Sequence, residues 1–121
     1  MSKVKPAPLP PDTLVGGYRI VRKLAAGGFG VVYLALDPQG QQVAVKEYLP
    51  ASLASRGIGE LLPQVQPDKL SLYRLGLKSF FEEGRALAQI SHASVVSVLN
   101  FFRENDTVYM VMNYLEGASL Q

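Results

Sequence analysis

Residues 24–50 read LAAGGFGVVYLALDPQGQQVAVKEYLP, and this stretch decides the fold because it joins strand-like segments through a glycine-rich turn. VVYLAL (31–36) and QVAVKEY (42–48) have the apolar and β-branched composition of strands, and the DPQGQ between them is typical of a tight turn. Before the glycines, YRIVRKLA (18–25) alternates in part between apolar and polar residues, as a half-exposed strand does. Three strands with short connections predict an antiparallel meander. Because VVYLAL is apolar on both faces, we expect it to be covered on both.

The apolar period changes to that of a helix between Leu72 and Ile90. Two more strands are predicted at 95–102 and 107–114, joined by the polar loop RENDT, while 49–71 is predicted to be mostly loop with one helical turn in PASLAS. The order of elements predicts an α+β domain whose helix packs on a five-stranded antiparallel sheet. The helix face predicted to meet the sheet spans about 80° of the helical wheel and comprises Gly76, Phe80, Glu83, Leu87 and Ile90.

Length and proline content predict one small domain with an arm. The chain has 121 residues, of which 48% are hydrophobic, enough for one domain with a core. Four of the 8 prolines fall at positions 6, 8, 10 and 11. Proline fixes φ and removes a backbone donor, so residues 1–13 are predicted to form a disordered arm and residues 14–121 the domain.

Charge and composition exclude several classes of function. The net charge is only +2 and the Lys and Arg residues are scattered, so nucleic acid is not an expected partner. The chain has no cysteine, which excludes a disulfide framework and cysteine-based metal sites. No apolar run approaches the roughly 18 residues of a membrane-crossing helix. The start, MSKVKPAPLPP, lacks the apolar core of a secretory signal, and a cytoplasmic location is predicted.

The glycine-rich turn could cradle a phosphate. Gly27 and Gly30 have the spacing of the last two glycines of a G-x-G-x-x-G turn, with Ala25 in the place of the first, which should stiffen the loop. A plain hairpin is the alternative for this motif taken alone. The Rossmann form needs a helix directly after the glycines and is excluded because a strand follows here. The Walker form needs Gly-Lys-Ser/Thr and is excluded because Val31 and Val32 follow Gly30.

Lys46 and Glu83 are candidate partners in such a site. Lys46 shares a strand face with Ala44, whereas Val43 and Val45 point to the other, so the lysine should point into a cleft if the alanine side is open. Glu83 lies within the helix stripe, where a carboxylate is costly unless it meets a cation or water. The alternatives are a lysine whose amine reaches solvent and a glutamate at the edge of the stripe.

In combination, these residues resemble the N-terminal lobe of a protein kinase. The matching motifs are LAAGGFGVVY for the glycine-rich loop, VAVK for the third strand, FFEEGRALAQISHASVVSVLNFF for the helix and fourth strand, and VYMVMNYLEGASL for the fifth strand and hinge. The resemblance covers residues 18–120, and VAVKEYLPASLASR and YMVMNYLEGASL look most like bacterial Ser/Thr kinases.

The resemblance implies an ATP site, with Mg²⁺ accompanying the nucleotide. Lys46 would hold the α- and β-phosphates, and Glu83 would orient Lys46 through an ion pair; these two are the implied catalytic residues. Met112 would lie behind the adenine, which would hydrogen-bond the Asn113 carbonyl and the Leu115 N–H. The residues implied to surround the nucleotide are Leu24, Ala25, Ala26, Gly27, Gly28, Phe29, Gly30, Val32, Ala44, Lys46, Met112, Asn113 and Leu115.

The sequence contains no H-R-D-x-x-x-x-N, D-F-G or A-P-E motif. The general base and the Mg²⁺ ligands are therefore expected in a missing C-terminal lobe, with no metal ligand in this chain, and His92 is expected to be a structural turn residue. We expect a lobe cut just after the hinge and inactive by itself. Its expected partners are ATP, the protein substrate of the parent kinase, the missing lobe and a second copy of itself. The alternatives are a regulatory pseudokinase and a lobe of a small-molecule phosphotransferase.

Overall fold

The computed structural model describes residues 6–89 and 98–114. Within these residues, six strands form one antiparallel sheet in the order β1-β2-β3-β4-β8-β7. Their bounds are β1 Leu14–Val15, β2 Tyr18–Gly27, β3 Gly30–Leu36, β4 Gln42–Tyr48, β7 Val98–Glu104 and β8 Thr107–Asn113. A second, two-stranded sheet pairs β5 (Ala54–Ser55) with β6 (Gln64–Val65), and a 3₁₀ turn (Pro67–Lys69) leads into helix α1 (Leu70–Gln89). The five predicted strands and the helix are confirmed, with short β1 added at one edge.

The strand register divides the main sheet into two faces. Val32 pairs with Lys46 and Tyr33 with Val45, and directly paired residues point to the same face of a sheet. The inner face carries Val32, Ala44, Lys46, Met110 and Met112, and it is the face on which α1 packs. The outer face carries Val31, Tyr33, Ala35, Val43, Val45, Glu47, Tyr109 and Val111, all buried. The outer-face residues of VVYLAL are covered, as its composition predicts, whereas Val32 and Leu36 on the inner face are only partly buried.

Helix α1 meets the inner face through a stripe that differs from the predicted one. Phe80 is buried, with its ring centroid 5.6 Å from that of Tyr48 and 6.3 Å from that of Phe101. Gly84 is also buried, and a Cβ there would lie 2.5 Å from the Phe101 ring, so the missing side chain permits close approach of helix and strand. Glu83, predicted to lie in the buried stripe, is exposed. The prediction failed because it gave no weight to Gly84, which turns the contact stripe away from Glu83.

The proline-rich arm is part of the lobe from residue 6 onward. Leu9 is buried against the outer face, and its N–H donates to the Tyr33 hydroxyl at 2.9 Å. The Ala7 N–H donates to the Arg56 carbonyl at 2.9 Å, and the Arg56 Nε–H donates back to the Ala7 carbonyl at 2.9 Å. The predicted disorder is therefore wrong for residues 6–13. The N–H groups of Ala7 and Leu9, which lie between the prolines, are hydrogen-bonded, and the Leu9 side chain is buried. Residues 1–5 lie outside the described part of the chain.

Segment 49–69 links β4 to α1 and is ordered. The Leu53 and Ala54 N–H groups both donate to the Pro50 carbonyl, at 3.0 and 2.9 Å, which makes the predicted single helical turn in PASLAS. The two residues of β5 follow directly, and they bring Arg56 to the outer face. Among the helices of the described residues, none is long and apolar enough to cross a membrane.

Candidate functional site

The glycine-rich turn is a tight hairpin pressed against the end of β4. β2 and β3 pair as far as Gly27 and Gly30, which leaves Gly28 and Phe29 at the tip. The Leu49 N–H donates to the Phe29 carbonyl at 2.8 Å and ties the tip to the chain after β4. Gly30 has φ +148°, and a Cβ there would lie 2.0 Å from the Glu47 carbonyl oxygen. Only glycine fits this position, because both the backbone conformation and the space exclude a side chain.

Lys46 lies on the inner face beside this hairpin. Its strand neighbours are Val32 on β3 and Met110 on β8, and its side chain is partly exposed. The amine lies 4.4 Å from the centroid of the Phe29 ring and 5.7 Å from that of the Phe80 ring. A cation at these distances from a ring face is attracted by the ring quadrupole. The structure thus brings the Lys46 amine and the Phe29 ring at the tip of the hairpin together.

The structure does not bring Glu83 to Lys46. Among the described residues the salt bridge within 4.0 Å is the one between Arg56 and Glu47, so the predicted Lys46–Glu83 pair is absent from this arrangement. Glu83 stays hydrated on the exposed side of α1, and Phe80, about 60° away on the helical wheel, faces the lysine instead. Burial of the phenyl ring is favourable, whereas burial of a carboxylate without a close partner is costly.

Three of the residues expected around the adenine, Val32, Ala44 and Met112, lie on the inner face. Ala44 is buried and pairs with Met112, which is partly buried, and Val32 lies one strand away opposite Lys46. On β2, Ala25 pairs with Val32 next to an irregularity that includes Leu24. Ala26 pairs with Val31, and Asn113 pairs with Val43 at the end of β8. Leu115 and His92 lie outside the described residues.

Behind Lys46, the outer face holds a buried polar cluster that the sequence analysis missed. Glu47 has no exposed surface, and its carboxylate accepts hydrogen bonds from Arg56 Nη1 and Nη2, both at 2.8 Å. The hydroxyls of Tyr33 and Tyr109 donate to the same carboxylate at 2.6 and 2.7 Å. One signal could have found this cluster: Glu47 alternates with Val43 and Val45 on the strand face that was expected to be covered.

Burial and charge shift the pKa values of this cluster. Burial and the negative charge of Glu47 raise the pKa of the Tyr33 and Tyr109 hydroxyls well above the ordinary value of 10.0. Burial alone would lower the pKa of Arg56, but its hydrogen bonds to Glu47 and the charge of that carboxylate outweigh burial and raise it. The cluster is therefore a neutral pair of tyrosines around a charged Glu47–Arg56 pair.

These shifts predict a loss of stability in alkaline solution. Tyrosines of the unfolded chain ionise near pH 10.0, whereas Tyr33 and Tyr109 keep their protons in the folded chain. The unfolded state then binds fewer protons, so the contribution of these two tyrosines to the free energy of unfolding should be constant up to about pH 9 and fall above about pH 10. Urea unfolding at several pH values checks this, and the Tyr33→Phe/Tyr109→Phe variant should show a shallower fall. Equal slopes for the two proteins would contradict the assignment.

The comparisons with known proteins agree with this geometry. The family model for the protein kinase domain matches residues 18–121. The chain belongs to the protein kinase family. The kinase lobe described here is 32% identical to the serine/threonine-protein kinase pkn2 of Myxococcus xanthus over 115 residues, 93% of this chain and 12% of that protein. It is 35% identical to the serine/threonine-protein kinase PknD of Chlamydia pneumoniae over 104 residues, 86% of this chain and 9% of that protein.

A solved structure has the same architecture. The kinase lobe superimposes on the structure titled PpkA-294 apo form with a TM-score of 0.82 and 36% sequence identity. The match covers 93% of this chain and 41% of the other. The predicted α+β lobe of sheet and helix is therefore confirmed. The chain spans about a tenth of the length of the named kinases that it matches.

Proposed function

We propose that this chain is the ATP-binding N-terminal lobe of a bacterial Ser/Thr protein kinase, in which the whole protein transfers the γ-phosphoryl group of ATP to a protein hydroxyl. One observation carries the proposal: the Lys46 amine lies beside the tip of a glycine hairpin that admits no side chain at Gly30. The relatives are named Ser/Thr protein kinases, which favours this function over a regulatory pseudokinase or a small-molecule phosphotransferase.

Each part of the lobe has a task in this proposal. Backbone N–H groups of the hairpin and the Lys46 amine would bind the phosphates. The apolar side chains of Val32, Ala44 and Met112 would contact the adenine, and the Asn113 carbonyl and Leu115 N–H would hydrogen-bond it. Together they would fix the nucleotide with its phosphates toward the hairpin.

The described residues do not fit a Mg²⁺ site. In residues 6–89 and 98–114, no three His, Cys, Asp or Glu side chains come together as metal ligands would. Within these residues we assign neither the metal nor the general base, and we propose that the chain alone positions ATP without transferring phosphate. A cytoplasmic location and self-association through the cleft residues stay predictions.

Nucleotide binding would require local rearrangement around Lys46. The Phe29 ring lies over the amine that would hold the phosphates, so it must move aside. A turn of α1 by about 60° would replace Phe80 with Glu83 near this amine, because the two residues lie that far apart on the wheel. We propose that the Lys46–Glu83 pair forms in that rotated arrangement, in which the carboxylate orients the lysine toward the phosphates.

The test is titration of the 121-residue chain with a fluorescent ATP analogue in the presence of Mg²⁺. Lys46→Met should weaken binding by about tenfold, because it removes a charge-assisted contact to phosphate. Lys23→Met is the matched control, since Lys23 is an exposed lysine of β2, and it should leave the affinity unchanged. Equal affinities for the two variants would refute the role of Lys46.

A further inference from the structure

The arm is held on the outer face of the sheet by backbone groups and one side chain. Ala7 and Arg56 exchange two hydrogen bonds of 2.9 Å, and the Leu9 N–H donates to the Tyr33 hydroxyl at 2.9 Å. Within residues 6–10, the buried side chain is that of Leu9. Backbone groups are the same in every chain, so an extended segment that places a leucine between prolines could make these contacts.

Both contacts of the arm lead to the Glu47 carboxylate. The Tyr33 hydroxyl accepts from the Leu9 N–H and from Arg56 Nη2, and it donates to Glu47 at 2.6 Å. A hydroxyl offers one donor and two acceptor positions, so this one is fully used. The Arg56 guanidinium donates through Nε to the Ala7 carbonyl and through Nη1 and Nη2 to Glu47. Each contact therefore reaches Glu47 through a single buried side chain.

Glu47 also lies against the glycine hairpin. Its side chain points to the outer face, and that of its neighbour Lys46 points to the inner face. Its backbone carbonyl packs on Gly30 so closely that no Cβ fits there. Two residues later, the Leu49 N–H donates at 2.8 Å to the Phe29 carbonyl at the tip of the hairpin. The end of β4 is thus packed between the arm with its partners and the hairpin.

The arm can leave this surface without unfolding of the sheet, because residues 6–10 belong to no strand or helix. One buried leucine and three hydrogen bonds must offset the entropy that is lost when these residues are ordered. Prolines at positions 6, 8 and 10 reduce that entropy, since their φ is fixed in the free arm as well. Docking and release of the arm can therefore exchange.

We propose that residues 6–9 are a releasable positioning element of the nucleotide site. While docked, they hold Arg56 and Tyr33 on Glu47, and the hairpin stays pressed against the end of β4. When they leave, the hairpin loosens and nucleotide binding weakens. The outer face is then a binding site for one kind of occupant, an extended segment with an aliphatic side chain between prolines. The effect on the nucleotide rests on the proposed function, whereas the effect on the hairpin does not.

The first experiment follows the hairpin without nucleotide. In the 121-residue chain, Leu9→Ser should release the arm, and hydrogen exchange of the Leu49 N–H should become at least about fivefold faster. The N–H of Val111, a buried residue of β8, is the internal reference and should change by less than about twofold. Leu14→Ser makes the same substitution at an exposed leucine of β1 and should leave both rates unchanged. Equal acceleration at Leu49 and Val111 would mean a general loss of stability and would overturn the proposal.

The second experiment returns the arm as a separate peptide. Fluorescein-labelled PAPLPPDT, which is residues 6–13, should bind the Leu9→Ser chain and restore slow exchange of the Leu49 N–H. It should bind the unchanged chain at least about tenfold more weakly, because the attached arm acts at a millimolar effective concentration. PAPSPPDT is the matched control peptide and should not bind at up to about 1 mM. Absence of binding by PAPLPPDT, or equal binding of both peptides, would overturn the proposed site.

The third experiment connects the arm to the nucleotide. Leu9→Ser should weaken binding of the fluorescent ATP analogue by about fivefold, and saturating unlabelled PAPLPPDT should restore it. By linkage, saturating analogue should tighten binding of the peptide by the same factor. Equal analogue affinities for Leu9→Ser and the unchanged chain would overturn the coupling. That result is distinct from failure of the proposed function, in which Lys46→Met would bind the analogue as Lys23→Met does.

Discussion

Replacing Arg56 by methionine should lower the free energy of unfolding by about 3–5 kcal/mol, because a buried carboxylate would lose its cationic partner. Glu47 and Arg56 have side chains with no exposed surface, so water cannot take the place of the lost guanidinium. The same substitution also removes the bond from Arg56 to the Ala7 carbonyl and leaves Tyr33 with one partner fewer. The midpoint and slope of urea unfolding measure the loss.

Two further variants distinguish the effect of breaking the ion pair from the effect of removing a large side chain. Arg22→Met removes an exposed arginine of β2 and should change the free energy of unfolding by less than about 0.5 kcal/mol. Glu47→Gln/Arg56→Met removes both charges, so its loss should be smaller than the sum of the two single losses. A loss below about 1 kcal/mol for Arg56→Met would show that the pair is not desolvated in solution.

Gly30→Ala should be the most destabilising glycine-to-alanine substitution in the hairpin. It should lower the free energy of unfolding by about 3 kcal/mol. Its Cβ would lie 2.0 Å from the Glu47 carbonyl oxygen and 2.6 Å from the Leu49 nitrogen, and both are backbone atoms. Relief requires β3 to move away from the end of β4, which also shifts the strand that carries Lys46. Affinity for the fluorescent ATP analogue should fall along with stability.

Gly28→Ala is the matched control for this experiment. Gly28 lies two residues away at the tip of the same hairpin, and nothing lies within 4 Å of a Cβ added there. Its φ is not among the positive ones, so alanine should be tolerated with a loss below about 1 kcal/mol. Thermal unfolding of both variants is the measurement. Similar losses at both positions would mean that the hairpin is mobile and does not press on β4.

Much of the fold could be predicted because its signals are local. Alternation along VAVKEY assigned Val43 and Val45 to a covered face, and the structure buries both. The rotation of α1 could not be predicted in the same way, because a search for apolar side chains gives no weight to a glycine. Gly84 is where the helix comes closest to the Phe101 ring, and that contact decides which residue faces Lys46.

The buried cluster and the arm depend on contacts between distant parts of the chain. Tyr109 is 62 residues from Glu47, and Ala7 is 49 residues from Arg56. Arg56 lies in a loop, where no alternation of apolar and polar residues indicates burial. Its burial could be predicted only if the segments that cover the outer face were known. The proline pattern of the arm contains no information about the surface that receives Leu9.

The contacts of Ala7 and Leu9 have a consequence for where this domain begins. The match to the family model starts at residue 18, yet the N–H groups of Ala7 and Leu9 donate to the Arg56 carbonyl and the Tyr33 hydroxyl. A chain that starts at residue 18 would lack Leu9. The Tyr33 hydroxyl and the sheet surface under Leu9 would then be exposed. The packed lobe therefore begins at least ten residues before the segment that the family model matches. Expression boundaries for this lobe should follow the hydrogen bonds and not the start of the family model.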